Sequence, residues 1–571
     1  MISLHSTQIH FDDQVYELYP NQRNGFDEFY TDYRSQSVPK GHRYQLILHV
    51  KRDILLKDLI LRFERNYQMS DRLLANGFQS WSESREYAID EAIPTLRWPV
   101  HSKRKYFGDD YIKGITRGKG HIHSWTYSYI RRKDRYLLIG SLTERNGFSL
   151  IHHDVANGQL LVRKDCNGQT LSHSFPILDL VILEGGEQAV FDAYFELMEC
   201  PPRVAKPMKG WTSWYNYYTQ ISEKIIVDTL QAFKEKEAPI DIIQIDDGYQ
   251  TKVGDWLSIK PEFSGGMGNL ARKIQQAGYK AGLWLAPFVC AKDSKLAQQH
   301  PNWLLKDERG KAIQVSHIPL WKGWFYALDF YQPAVQNYLT GVFHQVLDRW
   351  GYDFVKLDFL FAVCIHPKGP KNRGQIMHEA MSFLRNLVGD KLMLACGVPL
   401  GSAFGLADYC RIGGDIHLKW VNSWDRFMRI RERVSTLASL RSTIGRRQLN
   451  GRAFLNDPDV FILREENNSL HPNQQYSLLL LNTLLGDLLF SSDEVGKYQE
   501  EQWAEWESVV QWADSKVLKL AHLGTDQYRI DFKWKNKRYQ AIINLSAKEM
   551  EWQSKGRVLH LEAFESLVLK A

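Results

Sequence analysis

The sequence predicts a multidomain chain: a central (β/α)8 TIM barrel over 204–514, an N-terminal β domain over 1–203 and a C-terminal antiparallel β domain over 515–571. Three observations lead there. Strands and helices alternate eight times in the central region, which favours a closed barrel over an open doubly wound sheet. Those strands are apolar throughout rather than alternating, as parallel strands covered on both faces must be. The two flanks carry instead short strands set between Gly, Asn, Asp and Pro clusters.

In the first flank, YQLILHV (44–50), YLLIGSL (136–142) and LDLVILEG (178–185) read as strands. No convincing 3.6-residue period intervenes, so this domain is expected to be all-β. ECPPRVAKP (199–207) marks its end, where prolines and basic residues interrupt the pattern. Barrel strands are expected at 208–214, 240–246, 280–287, 353–359, 392–397, 410–415, 453–459 and 488–494. Helices are expected near 221–236, 269–277, 334–350, 374–388, 425–444, 472–485 and 501–513. A long loop follows the third strand, and a short Gly-rich connection follows the fifth. No Gly-rich phosphate fingerprint follows the first strand, which disfavours dinucleotide binding. Beyond residue 515, YRIDFKW, RYQAIINLS, RVLHLEAF and ESLVLK return to strand.

Composition narrows the function. Hydrophobic residues at 44% and charged residues at 24% describe an ordinary globular protein and exclude disorder. The 72 basic and 66 acidic residues are interspersed, so nucleic acid is not expected as a partner. No apolar run is long enough for a membrane span. The opening residues lack the basic and apolar regions of a secretory leader, which predicts a cytoplasmic chain. The six cysteines are dispersed without a CxxC pair and are expected as reduced thiols. The histidines at 121, 123, 152 and 153 lack the closed ligand set of a zinc site, and neither metal nor organic cofactor is expected. The 18 tryptophans suit stacking on the C–H faces of sugars as well as filling a core.

In such a barrel the reacting groups stand at the C-terminal ends of the strands. Those ends carry Trp214 and Tyr215, Asp246 and Asp247, Trp284, Lys356 and Asp358, Cys396, Arg411 and Asp415, and Asp457 and Asp459. Aspartate is depleted in strands, so each of these needs a reason. A helix cap accounts for any one of them. A ring of carboxylates with Trp, Lys and Arg is better explained by a neutral polyhydroxylated ligand, a small oligosaccharide. Two opposed carboxyl groups then supply the cleavage of a glycosidic bond. Asp358 is the candidate nucleophile, because Lys356, two residues earlier, shares its side-chain direction and would keep it ionised. Asp415, after Arg411 and two glycines, is the candidate acid, its proton retained by repulsion from Asp358. The bland alternatives are a Lys356–Asp358 ion pair and a helix cap at Asp415. Asp457 and Asp459 are expected to hold the end of the seventh strand and nearby basic charge.

These residues sit in motifs that resemble glycoside hydrolase family 36, the bacterial retaining α-galactosidases of clan D. GWTSWY (210–215), QIDDGY (244–249), GDW (254–256), GLWLAPF (282–288), KLDFLF (356–361), CGVPL (396–400), RIGGD (411–415) and LNDPD (455–459) follow the family's order and approximate spacing. The resemblance implies an N-terminal β-supersandwich, whose NGFQSWS (76–82) reaches over the barrel mouth. It implies Asp358 as nucleophile and Asp415 as acid/base. Asp246 and Asp247 would grip the galactose O4 and O6 hydroxyls, and Trp284 would form an apolar wall. Lys356 would reach O3 and O4, Cys396 and Arg411 would surround the 2-hydroxyl, and Trp81, Trp214 and Tyr215 would complete the rim. Melibiose and raffinose are the kind of substrate implied, and a homo-oligomer is compatible with the family. Two departures, Thr212 where Cys is common and IHLKW after RIGGD, leave aglycone preference and transglycosylation open. The alternatives are an α-N-acetylgalactosaminidase, an α-galactosyl transferase using the same covalent intermediate, or a catalytically silent sugar-binding protein.

Overall fold

The computed structural model describes residues 3–166, 168–554 and 557–571. At its centre the strands Met208–Thr212, Ile242–Ile245, Lys280–Leu285, Phe354–Leu357, Leu392–Ala395 and Tyr409–Arg411 pair in sequence order, every pair parallel. The ribbon ends on two halves of one run: Leu455–Asp457 pairs with Tyr409–Arg411, and Val460–Phe461 pairs with Leu488–Ser491. Leu488–Ser491 pairs in turn with Met208–Thr212, so the ribbon curls until its two ends lie in one short segment of chain. The change of partner happens at Pro458–Asp459, where Asp459 takes a left-handed φ of +79°. The result is a TIM-barrel-like core of parallel strands, with helices such as Glu223–Glu235, Arg373–Val388 and Pro472–Leu485 between them.

Ahead of the barrel, two antiparallel sheets face each other, of seven and eight strands among the described residues. Strand Phe29–Val38 illustrates the logic, with Phe29, Thr31 and Tyr33 turned in and Tyr30, Asp32 and Arg34 turned out. A helix, Glu187–Met198, covers the outer face of the eight-stranded sheet, which corrects the expectation of a helix-free N-terminal region. Its aromatic side chains dictate this: Phe191, Tyr194 and Phe195 are buried, and Tyr194 lies where a Cβ on Gly140 would come within 2.4 Å of its ring. An aromatic-rich segment blurs the apolar period, which is why the sequence did not announce it.

The expected helix over 425–444 is two helices, Ser423–Phe427 and Thr436–Arg446. Between them Arg429 adopts φ +59°, and the chain turns three charged residues toward the N-terminal sheets. Arg431 meets Asp109 at 3.2 Å, Ser82 donates to Glu432, and Arg433 meets Glu83 at 2.8 Å. Burying those charges without partners would cost several kcal/mol each, far more than helix propensity offers. After the third strand, the expected loop contains a three-stranded antiparallel sheet, Val289–Ala291, Gln314–Ile318 and Gly323–Ala327. At the C-terminus, Lys516–Gly524, Gln527–Trp534, Lys537–Asn544 and Ser566–Lys570 form an antiparallel sheet tied to the barrel by the paired contacts of Arg441 with Asp526. No helix among the described residues is long and apolar enough to cross a membrane.

Candidate active site

The strand ends bring one cluster together. Asp358 follows Phe354–Leu357 and is buried. Trp284 Nε1 donates to its Oδ2 at 3.0 Å, and the Phe359 N–H donates to Oδ1 at 3.0 Å. Phe359 reaches that position through φ +55°, a conformation a bulky residue adopts only when its surroundings enforce it. Trp81 and Trp321 enforce it, with ring centroids 4.9 and 5.0 Å from Phe359. Burial pushes the Asp358 carboxyl up. The Lys356 charge and the Trp284 N–H oppose the rise, and Asp415 and Asp246 add to it.

Lys356 does not pair with Asp358 as its parity suggested. Its Nζ lies 2.8 Å from Asp246 Oδ2. Burial alone would lower this ammonium, but Asp246 outweighs it and holds it charged. Asp246 sits two strands over, where Gln244 also donates to Oδ2 at 3.2 Å and the Asp247 N–H to Oδ1 at 2.9 Å. Asp247 is held by Trp321 Nε1 at 2.7 Å and Gln250 Nε2 at 2.6 Å. Burial pushes its carboxyl up to about 6 despite both donors.

On the opposite side Arg411 is shared. Its Nη1 reaches Asp415 Oδ1, its Nε reaches Asp457 Oδ2 and its Nη2 reaches Asp459 Oδ1, each at 2.9 Å. Asp415 is the open member, its side chain 37% exposed where Asp457 and Asp459 are sealed. Cys396 accepts from Trp81 Nε1 at 3.1 Å, and burial pushes its thiol far above the ordinary range. Six carboxylates thus crowd two cations, five of them buried. Burial, with the neighbouring acids adding to it, pushes Asp247, Asp358 and Asp459 up.

The roof comes from the N-terminal sheets. Segment 77–83 lies across the mouth: the Gly397 N–H donates to Ser80 Oγ at 2.8 Å, and the Ser80 N–H donates to Val398 O at 2.9 Å. Gly397 has φ +62°, and a Cβ there would come within 3.1 Å of the Trp81 ring, so the roof requires glycine at this point. Trp284 packs edge-on between Trp256 and Trp321. Tyr215 is not on the rim. It is 3% exposed, and its hydroxyl donates to Asp459 behind Arg411, because the helical turn Trp214–Tyr217 directs it inward. Trp214 is half-buried and edge-on to Tyr218. Trp321 and Gln250 were missed in the sequence. Both lie in βα connections, where this architecture keeps its functional groups, and that was the one available signal.

The histidines flagged as metal candidates are bound within the N-terminal sheets. His123 Nε2 meets Asp109 at 2.8 Å, and His153 Nε2 meets Ser128 at 2.9 Å. Among the described residues no group of three or more His, Cys, Asp or Glu is arranged to hold a metal ion. The six cysteines are all free thiols.

A TIM-barrel-like core of parallel strands with acids gathered at its C-terminal mouth is an architecture on which many glycoside hydrolases are built. Residues 208–388 match the melibiase family model. Alpha-galactosidase 1 of Pediococcus pentosaceus is 23% identical over 335 residues, covering 55% of this chain and 41% of that protein. The A type blood alpha-D-galactosamine galactosaminidase of Flavonifractor plautii is 29% identical over 170 residues, covering 28% and 15%. The chain therefore spans less than half the length of these curated relatives. Among solved structures, the alpha-galactosidase TtGalA of Thermus thermophilus, in complex with p-nitrophenyl alpha-D-galactopyranoside, superposes with a TM-score of 0.72 at 25% identity. That match covers 91% of this chain and 98% of the other.

Proposed function

We propose that the chain is a retaining exo-α-galactosidase acting on terminal α-galactosyl residues of small oligosaccharides such as melibiose and raffinose. One observation carries the reading: two carboxylates of unlike setting, Asp358 enclosed and Asp415 open, face one mouth, and Asp415 raises the proton affinity of Asp358. An enclosed carboxylate, steered by the Trp284 N–H, suits attack on the anomeric carbon. An open one beside the leaving group suits proton donation to the glycosidic oxygen. The resulting β-galactosyl ester on Asp358 is then hydrolysed by a water that Asp415, now ionised, deprotonates. In this scheme Asp246, Asp247 and Lys356 take the O3, O4 and O6 hydroxyls, Trp284 and Trp81 form walls, and Cys396 and Arg411 flank O2. With Cys396 tied to Trp81, little room remains for an N-acetyl group, which favours galactosides over N-acetylgalactosaminides. We place the N-terminal β-supersandwich at 1–203, the barrel at 204–514 and the antiparallel C-terminal domain at 515–571.

Retention is tested by proton NMR of the first-formed sugar from melibiose. α-Galactose is expected, and β-galactose would overturn the double displacement. Asp358→Gly should lose turnover while melting at or above the wild-type temperature, since it removes a buried carboxylate. Azide should then restore turnover and yield the β-galactosyl azide. Retained turnover without azide would remove Asp358 from the nucleophile role. Parallel assays of α-galactoside and α-N-acetylgalactosaminide chromogens, with transfer products followed by chromatography, separate the sibling activities.

A further inference from the structure

The mechanism leaves two buried carboxylates, Asp457 and Asp459, without a task. Asp459 lies behind Arg411, beyond reach of a sugar in the mouth, and is fully sealed from solvent. Its backbone holds φ +79°, which costs on the order of 1 kcal/mol or more for a residue other than glycine. A turn alone would be better served by glycine there. The side chain accounts for the difference. Asp459 Oδ1 meets Arg411 Nη2 at 2.9 Å, while Oδ2 accepts from the Tyr215 hydroxyl and, at 2.9 Å, from the Ile416 N–H. Ile416 directly follows Asp415. One carboxylate therefore grips Asp415 from two sides, through the guanidinium its side chain touches and through the next peptide of its backbone.

An acid that must deliver a proton is poorly served by a guanidinium at 2.9 Å, because a cation at that distance favours the carboxylate. Arg411 is tolerable beside Asp415 only if its charge is largely spent elsewhere. Asp457 on Nε and Asp459 on Nη2 are placed to do that. Resting on the acid/base role given to Asp415 above, we propose that Asp459 is a positioning residue: by drawing Arg411 back and fixing Ile416, it keeps Asp415 able to hold the proton that the leaving group needs. The charged and titratable groups facing this pair are Lys356 and Asp358 from the fourth strand, Cys396 from the fifth, Tyr215 and Tyr218 after the first, and Asp457 and Asp459 from the seventh. Of these, only Asp457 and Asp459 bind the guanidinium directly on its far side. Burial pushes Asp459 up to about 7 against the pull of Arg411, with Asp415 and Asp457 adding to the rise, so the three acids compete for one cation.

The test is the pH profile of Asp459→Asn. Asparagine keeps the size and an acceptor for Ile416 but removes the counter-charge on Arg411. With a poor leaving group, such as methyl or phenyl α-galactoside, the alkaline limb of kcat/KM should move down by about one pH unit. About tenfold would then be lost on the alkaline side, where the wild-type acid still holds its proton. With 2,4-dinitrophenyl α-galactoside, whose departure needs no acid, the limb should stay in place. Tyr215→Phe, which removes one hydrogen bond and no charge, should shift the limb in the same direction by less, and it serves if the asparagine variant fails to fold. An unmoved limb with a uniformly lower rate would reduce Asp459 to structural support. An equal shift with both leaving groups would detach it from Asp415. Failure of the underlying reading is separate: Asp415→Ala would then hydrolyse poor and good leaving groups with equal loss.

Discussion

Trp321→Phe isolates a single hydrogen bond whose consequence is a change of proton affinity. The Trp321 Nε1 donates to Asp247 Oδ2 at 2.7 Å, and its ring packs on Phe325 and Phe359 at 5.0 Å each. Phenylalanine keeps most of that packing and loses the donor. Burial already lifts Asp247 to about 6, and the Trp321 N–H is the largest influence holding it down. A hydrogen bond to a buried charge contributes ~1.5–3 kcal/mol, which at ~1.4 kcal/mol per unit is a rise of about 1–2 pH units. Asp247 in the variant therefore titrates near 7–8 by the same arithmetic, about where the medium is neutral. If its ionised form accepts a substrate hydroxyl, the acid limb of kcat/KM moves up by that amount. Activity falls about tenfold near pH 6 and approaches wild type near pH 9. The assay is a kcat/KM profile on p-nitrophenyl α-galactoside with thermal melting as a control. A parallel drop at every pH would refute the reasoning and leave Trp321 as packing alone.

Two further outcomes follow from burial. Cys396 should resist alkylation: iodoacetamide at neutral pH should leave activity intact in the folded chain, because the thiol is sealed and titrates far above neutrality. Rapid inactivation that galactose prevents would contradict this. Burial also pushes Glu432 up to about 7 from 4.5, against Arg431 and the Ser82 hydroxyl, so the folded state prefers its protonated form. The stability that goes with that preference is fully present below the unfolded value and is lost progressively as pH rises through the folded one, up to ~3 kcal/mol. Glu432→Gln should accordingly gain melting temperature relative to wild type between pH 5 and 8, and a flat difference would be the contrary result.

The parts of this site that were legible in the sequence are those fixed by local rules. Strand ends in a parallel barrel point one way, so Asp246, Asp358, Arg411 and Asp415 fall near each other once eight apolar strands are counted. What was not legible is pairing across strands. Lys356 shares parity with Asp358 along its own strand, yet it reaches Asp246 two strands away, because register between neighbouring strands decides which groups meet. Tyr215 sits in a motif at a strand end, but one turn of helix carries it behind the site rather than to its rim. Trp321 lies in the turn between two strands of a small sheet inside what read as a loop, and nothing in its immediate neighbours forecasts that its indole meets Asp247. The divided helix over 425–444 has the same cause. Arg431, Glu432 and Arg433 read as a solvated helical face until Asp109, Ser82 and Glu83 arrive from more than 300 residues away.

That last contact argues that the N-terminal sheets are a working part of the site. Arg446 is fully buried and has no carboxylate partner among the described residues. It donates instead to Asn76 Oδ1 at 2.8 Å, to the carbonyls of Ser80 at 2.6 Å and Gln79 at 3.2 Å in the roof, and to the carbonyl of Ile412 at 2.9 Å. Burial drags this guanidinium down to about 10, the sign of a cation held by dipoles alone. A charge so placed is tolerable only while all four acceptors are present, and they belong to two different units of the chain. Undocking the sheets would strand it in a half-made cradle. The roof loop and the strand that carries Arg411 are thus fastened by one residue, so the position of Trp81 over Cys396 and the position of Asp415 beyond Ile412 are set together. Gly397 and Gly414 mark where backbone passes close beneath the roof: a Cβ on each would come within 3.1 Å of the Trp81 ring and 3.2 Å of the Trp81 carbonyl oxygen, respectively. The mouth is shaped by that contact surface as much as by the strand ends beneath it.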